Sequence, residues 1–334
     1  MAPWFSELYQ ILATKRQSLV TKIKTVFIGA GYMAREHVKA FSDIATVELV
    51  GIYSRTRTAA EQIAAQFKIS AVYNSVQEMY AACCPEIIIV AVSELAVEEV
   101  CDFIFQHPGI VLVEKPIGYN FEVASRIQRK IRHPDCHVFV ALNRRHYSST
   151  RAVKDDLAND LSDRRLVQVF DQESPDVGAQ SGKPPEVVKN WMYANSIHLI
   201  DYFFNFCRGA VVQVDPIIQW NAMDPEWVFS KILFSSGDVG IYQAVWNRPG
   251  PWSVSITTQA KRWELRPLEC GMWQANGSRN ATLFPEHTYD KLFKPGLRMQ
   301  AEELVRVFKG ESFCLPTIDD GLATMQLVRM IYAA

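Results

Sequence analysis

The sequence lacks any apolar run approaching the roughly 18–20 residues that a membrane span requires. It also lacks an excess of one charge, since Lys+Arg 35 nearly balances Asp+Glu 36, and no basic surface for nucleic acid or anionic membrane is indicated. No C-x-x-C pair occurs, and the seven cysteines are odd in number, which favours reduced thiols over a disulfide framework. His133, Cys136 and His137 lie close together without a fourth ligand, so no metal site is expected. These absences predict a cytoplasmic protein that binds neither nucleic acid nor membranes.

The first 22 residues lack the basic start and apolar block of a secretory signal. Their apolar residues recur at helical spacing, at Phe5, Leu8, Ile11 and Leu12. This pattern predicts a helical extension over residues 1–22, with a poorly ordered leader as the alternative.

The 334 residues suit two domains, and the pattern of elements changes near residue 147. Before it, apolar strands alternate with helices, which predicts an α/β domain over residues 23–146 with a doubly wound parallel sheet of the Rossmann type. After it, strands joined by short turns predict an α+β domain over residues 147–334 with a large, mostly antiparallel open sheet. One helix over residues 187–206 interrupts these strands. Two closing amphipathic helices are predicted to pack back on the first domain.

The turn after the first strand reads Gly29-Ala30-Gly31-Tyr32-Met33-Ala34, a G-x-G-x-x-A pattern that opens a helix. Gly29 permits the tight turn, Gly31 lets the backbone approach a pyrophosphate, and Ala34 keeps the helix close to the sheet. The amino terminus of the helix offers N–H groups and a positive dipole end to phosphates. In this strand–turn–helix context the pattern predicts a dinucleotide site.

The end of the second strand indicates which dinucleotide is preferred. Ser54, Arg55 and Thr56 stand where NAD-specific sites usually place Asp or Glu for the ribose 2′-hydroxyl. The Ser54 hydroxyl and the cations of Arg55 and Arg57 suit a 2′-phosphate instead. NADP(H) is therefore favoured and NAD(H) remains possible, a solvated loop that accepts either cofactor being the alternative.

The stretch IVLVEKPIGYN ends a buried strand in Glu114, Lys115 and Pro116. Ligands of doubly wound sheets bind beyond the carboxyl ends of the strands, so the Lys115 ammonium is expected to point towards the nicotinamide region. Pro116 stops the strand. The alternative is a surface ion pair between Glu114 and Lys115 with little energetic value.

Three motifs, GAGYMA, VEKPIGYN and SIHLID, together resemble the glucose–fructose oxidoreductase / inositol dehydrogenase / MocA (Gfo/Idh/MocA) family over residues 23–334. The resemblance implies that Lys115 is an active-site residue beside the substrate. It also agrees with a homodimer or homotetramer formed through the open sheet, whose second face would be exposed in a monomer. The expected cofactor-binding residues are Gly29, Ala30, Gly31, Tyr32, Met33, Ser54, Arg55, Thr56, Val92, Glu114, Lys115 and Pro116.

In the family the residue that matches His198 acts near the reacting C–H and O–H bonds, so the resemblance implies an acid–base role for His198. Many members carry Asp four residues earlier, but this chain has Ala194 there. Asn195 and Asp201 flank His198 at three positions on either side. Asn195 could bind a substrate hydroxyl, and Asp201 could orient the imidazole or merely satisfy the helix interior.

A polar group, Asn143-Arg144-Arg145-His146-Tyr147, follows the last strand of the first domain. In the family this segment contributes to the pocket, and its side chains suit a polyhydroxylated or anionic ligand, including a sugar nucleotide. The alternative is a basic surface turn. Trp191 could stack on a sugar, although a helix core position suits it equally. The expected substrate-binding residues are Asn143, Arg144, Arg145, Tyr147, Trp191 and Asn195. Residues 290–300 resemble a pocket-edge segment to which no chemistry is assigned.

Together these residues predict hydride transfer between a nicotinamide cofactor and a hydroxyl or carbonyl carbon of a sugar, sugar nucleotide or related polyol. His198 would accept the hydroxyl proton and Lys115 would stabilise the developing negative oxygen. Because Ala194 replaces the usual Asp, an alternative is a protein of the same fold that senses NADP(H) or a sugar without turnover. A third alternative is a glycosidase that uses bound NAD for transient oxidation, as a minority of relatives do.

Overall fold

The computed structural model describes residues 22–162 and 164–333. The helical extension predicted for residues 1–22 lies outside these ranges except for its last residue. Within them, no helix combines the length and apolarity that a bilayer crossing needs. The same residues include no group of three His, Cys, Asp or Glu side chains placed to hold a metal ion.

A six-stranded parallel sheet forms the first half of the molecule. Its strands are β1 (Ile23–Ile28), β2 (Val47–Tyr53), β3 (Val72–Tyr73), β4 (Ile87–Val90), β5 (Gly109–Val113) and β6 (Cys136–Val140). They are arranged in the order β3-β2-β1-β4-β5-β6, and every pair is parallel. All four residues of β4 are buried because helices cover both faces. The predicted Rossmann sheet is confirmed.

Five helices connect these strands: α1 (Tyr32–Ser42), α2 (Arg57–Phe67), α3 (Val76–Cys83), α4 (Val97–Ile104) and α5 (Phe121–Gln128). Side chains cap two of them, since Ser75 Oγ accepts from the Glu78 amide at 3.0 Å and Asn120 Oδ1 accepts from the Val123 amide at 2.9 Å. Helix α1 instead begins after Gly31 without a side-chain cap. Its first amides are therefore free to bind a ligand.

An eight-stranded sheet forms the second half. Its strands are β7 (Leu166–Glu173), β8 (Val211–Ile218), β9 (Trp227–Phe234), β10 (Val239–Trp246), β11 (Ser253–Thr257), β12 (Lys261–Leu265), β13 (Gly271–Ala275) and β14 (Thr282–Leu283). The order is β14-β13-β12-β11-β7-β10-β9-β8. Only β7 and β10 pair in parallel, and the other neighbours are antiparallel. This arrangement confirms the predicted large, mostly antiparallel sheet.

The helix predicted over residues 187–206 is interrupted, which corrects the sequence interpretation. After α6 (Ser148–Ala158) and β7, the chain forms α7 (Pro175–Gln180), α8 (Pro185–Lys189), a π-helical turn (Met192–Ser196), α9 (Ile197–Ile200) and α10 (Tyr202–Phe206). A π turn accommodates one extra residue in a helix and often marks a functional site. Ala194 lies within this turn, and its carbonyl oxygen accepts a hydrogen bond from Lys115 Nζ.

The closing helices contact the first domain. They are α11 (Thr288–Leu292), α12 (Leu297–Lys309) and α13 (Ile318–Tyr332). Helix α12 packs against α1, where Arg298 Nε lies 2.8 Å from Asp43 Oδ2, and α13 packs against α5 and β6. Apolar residues of α12, including Leu297 and Leu304, join the core beneath the first sheet.

The second sheet has one covered and one open face. In β9 and β10, residues alternate between buried and partly exposed positions. The buried set, including Ile232 and Tyr242, packs with Phe203 of α10 and Tyr332 of α13. The opposite face carries exposed apolar side chains such as Trp227, 42% exposed, and association of copies through this face stays a prediction.

Candidate active site

A cavity of about 710 Å³ lies at the carboxyl ends of β1, β2 and β4. Gly29 has φ +115°, and a Cβ there would lie 2.0 Å from the Ala91 carbonyl oxygen, so only glycine fits. A Cβ on Gly31 would meet no atom within 4 Å. The first glycine therefore shapes the turn, while the second leaves open space at the start of α1, as a pyrophosphate would need. Among the residues lining this cavity are Gly29, Ala30, Gly31, Tyr32, Met33, Ser54, Arg55, Thr56 and Val92.

The end of β2 presents two arginines in different situations. Arg57 is engaged, with Nε 2.8 Å from Glu61 Oε1 and an additional hydrogen bond to Asn74. Arg55 is exposed, lines the large cavity, and forms no ion pair within the described ranges. Ser54 Oγ accepts a hydrogen bond from the Thr56 amide at 3.2 Å. Of these two arginines, Arg55 is the one without an acidic partner within the described ranges.

A second cavity, of about 200 Å³, adjoins the first. Both are lined by Met33, Ala91, Val92 and Lys183. Most of the remaining lining is polar or charged: Glu94, Glu114, Lys115, Pro116, Asn143, Arg144, Tyr147, His198 and Lys294. The structure therefore brings Lys115 and His198, far apart in sequence, to one small chamber beside the dinucleotide cavity.

Lys115 follows β5 and precedes Pro116 through a cis peptide bond. Its Nζ donates to the Ala194 carbonyl oxygen at 2.8 Å. Burial lowers the pKa of Lys115 to about 8, an effect that Glu114 partly opposes and the positive charge of Arg144 reinforces. Glu114 does not pair with the ammonium but with the buried His37, whose Nε2 lies 2.7 Å from Glu114 Oε1.

His198 is only 8% exposed and lies in α9, directly after the π turn. Its Nδ1 is buried without a hydrogen-bond partner within the described part of the chain. Burial lowers the pKa of His198 well below 6.5, and the charges of Arg144, Lys115 and Lys294 lower it further. The imidazole is therefore neutral near pH 7 and able to accept a proton.

Within the described ranges, Asp201 forms no hydrogen bond or ion pair with His198. Arg145 binds it with two hydrogen bonds of 2.8 and 2.6 Å, and Thr324 Oγ1 donates to it at 2.9 Å. Asp201 was expected either to orient the imidazole or to satisfy the interior of its own helix, but these bonds connect it to two other segments of the chain. Arg145, expected to bind substrate, is committed to this ion pair and lines neither cavity.

The other expected substrate residues divide into two groups. Arg144 and Tyr147 line the small cavity, as does Asn143, whose Nδ2 donates to the Pro295 carbonyl oxygen at 3.0 Å. Trp191 and Asn195 line neither cavity. Trp191 packs so closely on Gly178 that a Cβ there would lie 2.4 Å from the indole, and Asn195 donates to Glu173.

Beneath the π turn lies a buried carboxyl pair that the sequence analysis missed. Asp171 and Glu173 alternate along β7, both 0% exposed. Asn195 Nδ2 donates to Glu173 Oε2 at 2.9 Å, and Tyr242 Oη donates to Asp171 Oδ2 at 2.7 Å. Burial and the neighbouring Asp171 raise the pKa of Glu173 well above its usual value. The sequence FDQE could have indicated this pair, because acids two positions apart in a strand lie on the same face.

Three further charged residues of the small cavity were also missed: Glu94, Lys183 and Lys294. Lys183 Nζ lies 2.5 Å from Glu94 Oε1 and connects the loop after β4 with the segment after α7. Lys294 belongs to the pocket-edge segment 290–300, and its Nζ lies 5.3 Å from the centre of the Tyr32 ring. The family resemblance indicated that this segment lies at the edge of the pocket, whereas the structure shows that Lys294 lines the cavity.

A parallel sheet with a glycine turn at its switch point, and a polar chamber beside that turn, define a nucleotide-binding Rossmann protein with a second, α+β domain. The model of the oxidoreductase family Gfo/Idh/MocA, NAD-binding Rossmann fold, matches residues 23–142. The resemblance noted in the sequence is confirmed over these residues, which match the NAD-binding Rossmann domain of that family.

Solved structures with the same fold cover nearly the whole chain. A protein described as a candidate NADPH-dependent oxidoreductase from Desulfitobacterium hafniense has a TM-score of 0.75 at 16% identity, covering 92% of this chain and 94% of its own. UDP-N-acetylglucosamine 3-dehydrogenase from Acidithiobacillus ferrooxidans has a TM-score of 0.73 at 14% identity, covering 94% and 97%. Levoglucosan dehydrogenase in complex with NADH and levoglucosan has a TM-score of 0.75 at 14% identity, covering 93% and 96%. At such identities the likeness shows the fold alone. No curated protein sequence matches the chain significantly.

Proposed function

We propose that this protein is an NAD(P)-dependent oxidoreductase that transfers a hydride between nicotinamide and a hydroxyl or carbonyl carbon of a sugar, sugar nucleotide or related polyol. The observation that carries the proposal is the joint position of Lys115 and His198 in a chamber of about 200 Å³ that adjoins the dinucleotide cavity. The sugar class is supported by the solved relatives of this fold that act on UDP-N-acetylglucosamine and levoglucosan.

The residues of the large cavity fit the cofactor. Gly29 and Gly31 let the backbone approach a pyrophosphate, the uncapped start of α1 offers N–H donors, and Arg55 suits a 2′-phosphate. When bound, the cofactor supplies or accepts the hydride at its nicotinamide ring. NADP(H) is the preferred form in this proposal, and NAD(H) the alternative.

The protonation states of the chamber suit oxidation of an alcohol near pH 7. His198 is neutral, because burial lowers its pKa, and its imidazole accepts the proton of the substrate hydroxyl. Lys115, with a pKa of about 8, is charged and stabilises the oxygen as negative charge develops on it. As the hydride leaves the carbon and the proton leaves the oxygen, the alcohol becomes a carbonyl. In reduction, the imidazolium of His198 returns the proton.

A second candidate function is binding without turnover, which one observation favours. The Lys115 ammonium is hydrogen-bonded to a backbone carbonyl, and position 194 supplies no carboxylate to the chamber. A protein of this kind would bind NADP(H) and a sugar-like ligand but show no change in nicotinamide absorbance.

The test is turnover by the whole chain, measured by reduced-nicotinamide absorbance with NAD(H) and NADP(H) against a panel of sugars, polyols and nucleotide sugars. On any substrate found, Lys115→Met and His198→Ala are each expected to lower kcat at least a hundredfold. Lys309→Met and His137→Ala are matched controls, because both side chains are exposed and line neither cavity. If both site variants keep kcat within a few-fold of wild type, the assigned roles are wrong.

A further inference from the structure

The small cavity has more positive than negative charge. Four cationic side chains line it, those of Lys115, Arg144, Lys183 and Lys294, against the carboxylates of Glu94 and Glu114. Both carboxylates have partners: Glu94 pairs with Lys183 at 2.5 Å and Glu114 bonds to His37 at 2.7 Å. Within residues 22–162 and 164–333, Lys115, Arg144 and Lys294 form no ion pair with a carboxylate of the chain. The chamber therefore offers uncompensated cations to whatever enters it.

The Arg144 guanidinium is held in place by aromatic rings rather than by an acid. Its centre lies 4.8 Å from the Trp252 ring and 6.0 Å from the Tyr147 ring. Its Nε is buried and has no hydrogen-bond partner within the described ranges. Stacking orients the planar group without using its N–H donors, which are the part of arginine that recognises carboxylates and phosphates. The Arg144 guanidinium is thus held in place and retains an N–H group that has no acceptor within the described ranges.

Lys294 is positioned by a segment that is anchored to the first domain. Asn143 donates to the Pro295 carbonyl oxygen at 3.0 Å, and a Cβ on Gly296 would lie 2.2 Å from the Asn143 carbonyl oxygen. Because Asn143 precedes Arg144 and Pro295 follows Lys294, this close packing fixes the backbone of Lys294 relative to that of Arg144. The charges of Arg144, Lys115 and Lys294 all lower the pKa of His198, as three cations close to one imidazole must.

We propose that the substrate carries a carboxylate or phosphate group, and that Arg144 and Lys294 bind this anion while the reacting carbon lies at Lys115 and His198. This inference rests on the proposed function and narrows its substrate class to an anionic sugar derivative. The guanidinium binds two anion oxygens in parallel, and the Lys294 ammonium adds a point charge. The anion thereby fixes which carbon of the substrate faces His198. Neutral sugars lack this anchor.

The cofactor phosphates are the competing anions. They belong at the glycine turn and at the start of α1, which line the large cavity. Arg144 and Lys294 line only the small cavity. Their charges are therefore assigned to the substrate, and effects on cofactor binding distinguish the two possibilities.

The test compares matched neutral and anionic substrates with the full chain and either cofactor: glucose, glucuronate and glucose 6-phosphate, and N-acetylglucosamine with its UDP derivative. Wild type is expected to favour at least one anionic member over its neutral counterpart by about 10–100-fold in kcat/KM, the range of a charged hydrogen-bonded contact. The preferred anion identifies carboxylate, phosphate monoester or nucleotide diphosphate.

Variants of Arg144 and Lys294 test whether these two residues cause the preference for anionic substrates. Arg144→Gln and Lys294→Gln are each expected to raise KM for the anionic substrate about tenfold and to reduce the anionic-to-neutral preference. Lys291→Gln is the control, since this lysine of α11 is exposed and lines neither cavity. Retention of the wild-type melting temperature shows that each variant is folded. Equal turnover of neutral and anionic members, or an unchanged preference in Arg144→Gln, overturns the inference while leaving the oxidoreductase function intact.

If none of these compounds is turned over, isothermal titration calorimetry still tests whether the cavity binds an anion. With oxidised cofactor present, the same compounds are titrated into wild type and Arg144→Gln. Tighter binding of an anionic member, lost in the variant, supports the anion site although the proposed activity has failed. Binding without anion preference overturns it. A tenfold loss of NADP(H) affinity in Arg144→Gln, with anion binding unchanged, also overturns it, because the cations would then serve the cofactor.

Discussion

The ammonium of Lys115 donates a 2.8 Å hydrogen bond to the carbonyl oxygen of Ala194, joining the end of β5 to the π turn of the second domain. The acceptor is neutral, whereas many proteins of the resembling family carry Asp at this helix position. A carboxylate would favour the charged lysine, but a carbonyl oxygen offsets its burial less. The low pKa of Lys115, about 8, has burial as its largest cause. With a neutral residue at position 194, burial remains the main influence on the pKa of Lys115.

The first prediction concerns the pH dependence that follows from this pKa. On a confirmed substrate, kcat/KM is expected to fall as pH rises through about 8, because the Lys115 ammonium is lost. No decline is expected between pH 8 and 6.5, since the pKa of His198 is well below 6.5 and its imidazole stays neutral there. The measurement is a pH profile at constant ionic strength. A profile that stays flat to pH 9.5 would contradict the assignment of Lys115.

The two turn glycines provide a matched pair. Gly29→Ala is expected to destabilise the fold, because φ is +115° and the new Cβ would lie 2.0 Å from the Ala91 oxygen. Gly31→Ala should leave the melting temperature unchanged, since its Cβ meets no protein atom within 4 Å. It should nevertheless weaken NAD(P)(H) binding at least tenfold by occupying the space of the pyrophosphate. Fluorescence titration with reduced cofactor checks this, and full affinity in Gly31→Ala would place the cofactor elsewhere.

Arg55 and Arg57 make the cofactor preference testable. Arg55→Gln should lower affinity for NADP(H) about tenfold and leave NAD(H) affinity unchanged, because only the 2′-phosphate loses a charged partner. Arg57→Gln is the control, since Glu61 and Asn74 already engage that side chain. Dissociation constants for both cofactors decide the matter. Equal losses for NAD(H) and NADP(H) in Arg55→Gln would remove the basis for a NADP(H) preference.

The Arg145–Asp201 pair should act on stability rather than on substrate. Arg145→Met is expected to lower the free energy of unfolding by about 3–5 kcal/mol, because it leaves the buried Asp201 carboxylate without its charged partner. In the double variant with Asp201→Leu, most of that loss should be recovered. Urea denaturation measures both. A substrate KM raised in Arg145→Lys without loss of stability would instead restore the substrate role expected from the sequence.

Glu173 offers a test of the buried carboxyl pair. Its pKa is raised well above the usual value, so the folded state retains a proton that the unfolded chain releases near pH 4.5. Stability contributed by this group is therefore present below pH 4.5 and is lost as pH rises towards the folded pKa. Glu173→Gln should remove that slope and keep the hydrogen bond from Asn195.

Glu173→Ala serves as the contrasting variant. It should lower the free energy of unfolding by about 2–4 kcal/mol, because it leaves a cavity and an unpartnered Asn195 amide. Urea denaturation at pH 5 and pH 8 separates the two variants. Identical pH slopes in wild type and Glu173→Gln would show that Glu173 is ionised in the fold.

The sequence predicts those parts of the site that depend on local pattern. The glycine turn, the strand ending in Glu114-Lys115-Pro116 and the end of β2 follow from a buried strand and the residues just after it. Because parallel strands end at one edge of the sheet, these segments had to meet. The same rule predicts that Lys115 lies beside the dinucleotide cavity, and it lines the chamber that adjoins this cavity.

The remaining parts depend on contacts between distant segments. Whether Arg144 or Arg145 faces the cavity is decided by Asp201, 56 positions after Arg145, and no local pattern carries that information. The π turn arises inside a run whose apolar spacing suits an ordinary helix. Lys294 reaches the cavity only because its segment packs on Asn143. Contacts between distant segments therefore decide which side chains face the cavity and which type of helix forms, where the local sequence allows more than one outcome.

Helix α12 completes the core beneath the first sheet, and helix α13 covers β6. A fragment cut after residue 142 would expose the apolar surface that Leu297, Ala301 and Leu304 cover in the intact chain. The region that matches the family model, residues 23–142, would thus lack part of the core that it has in the intact chain.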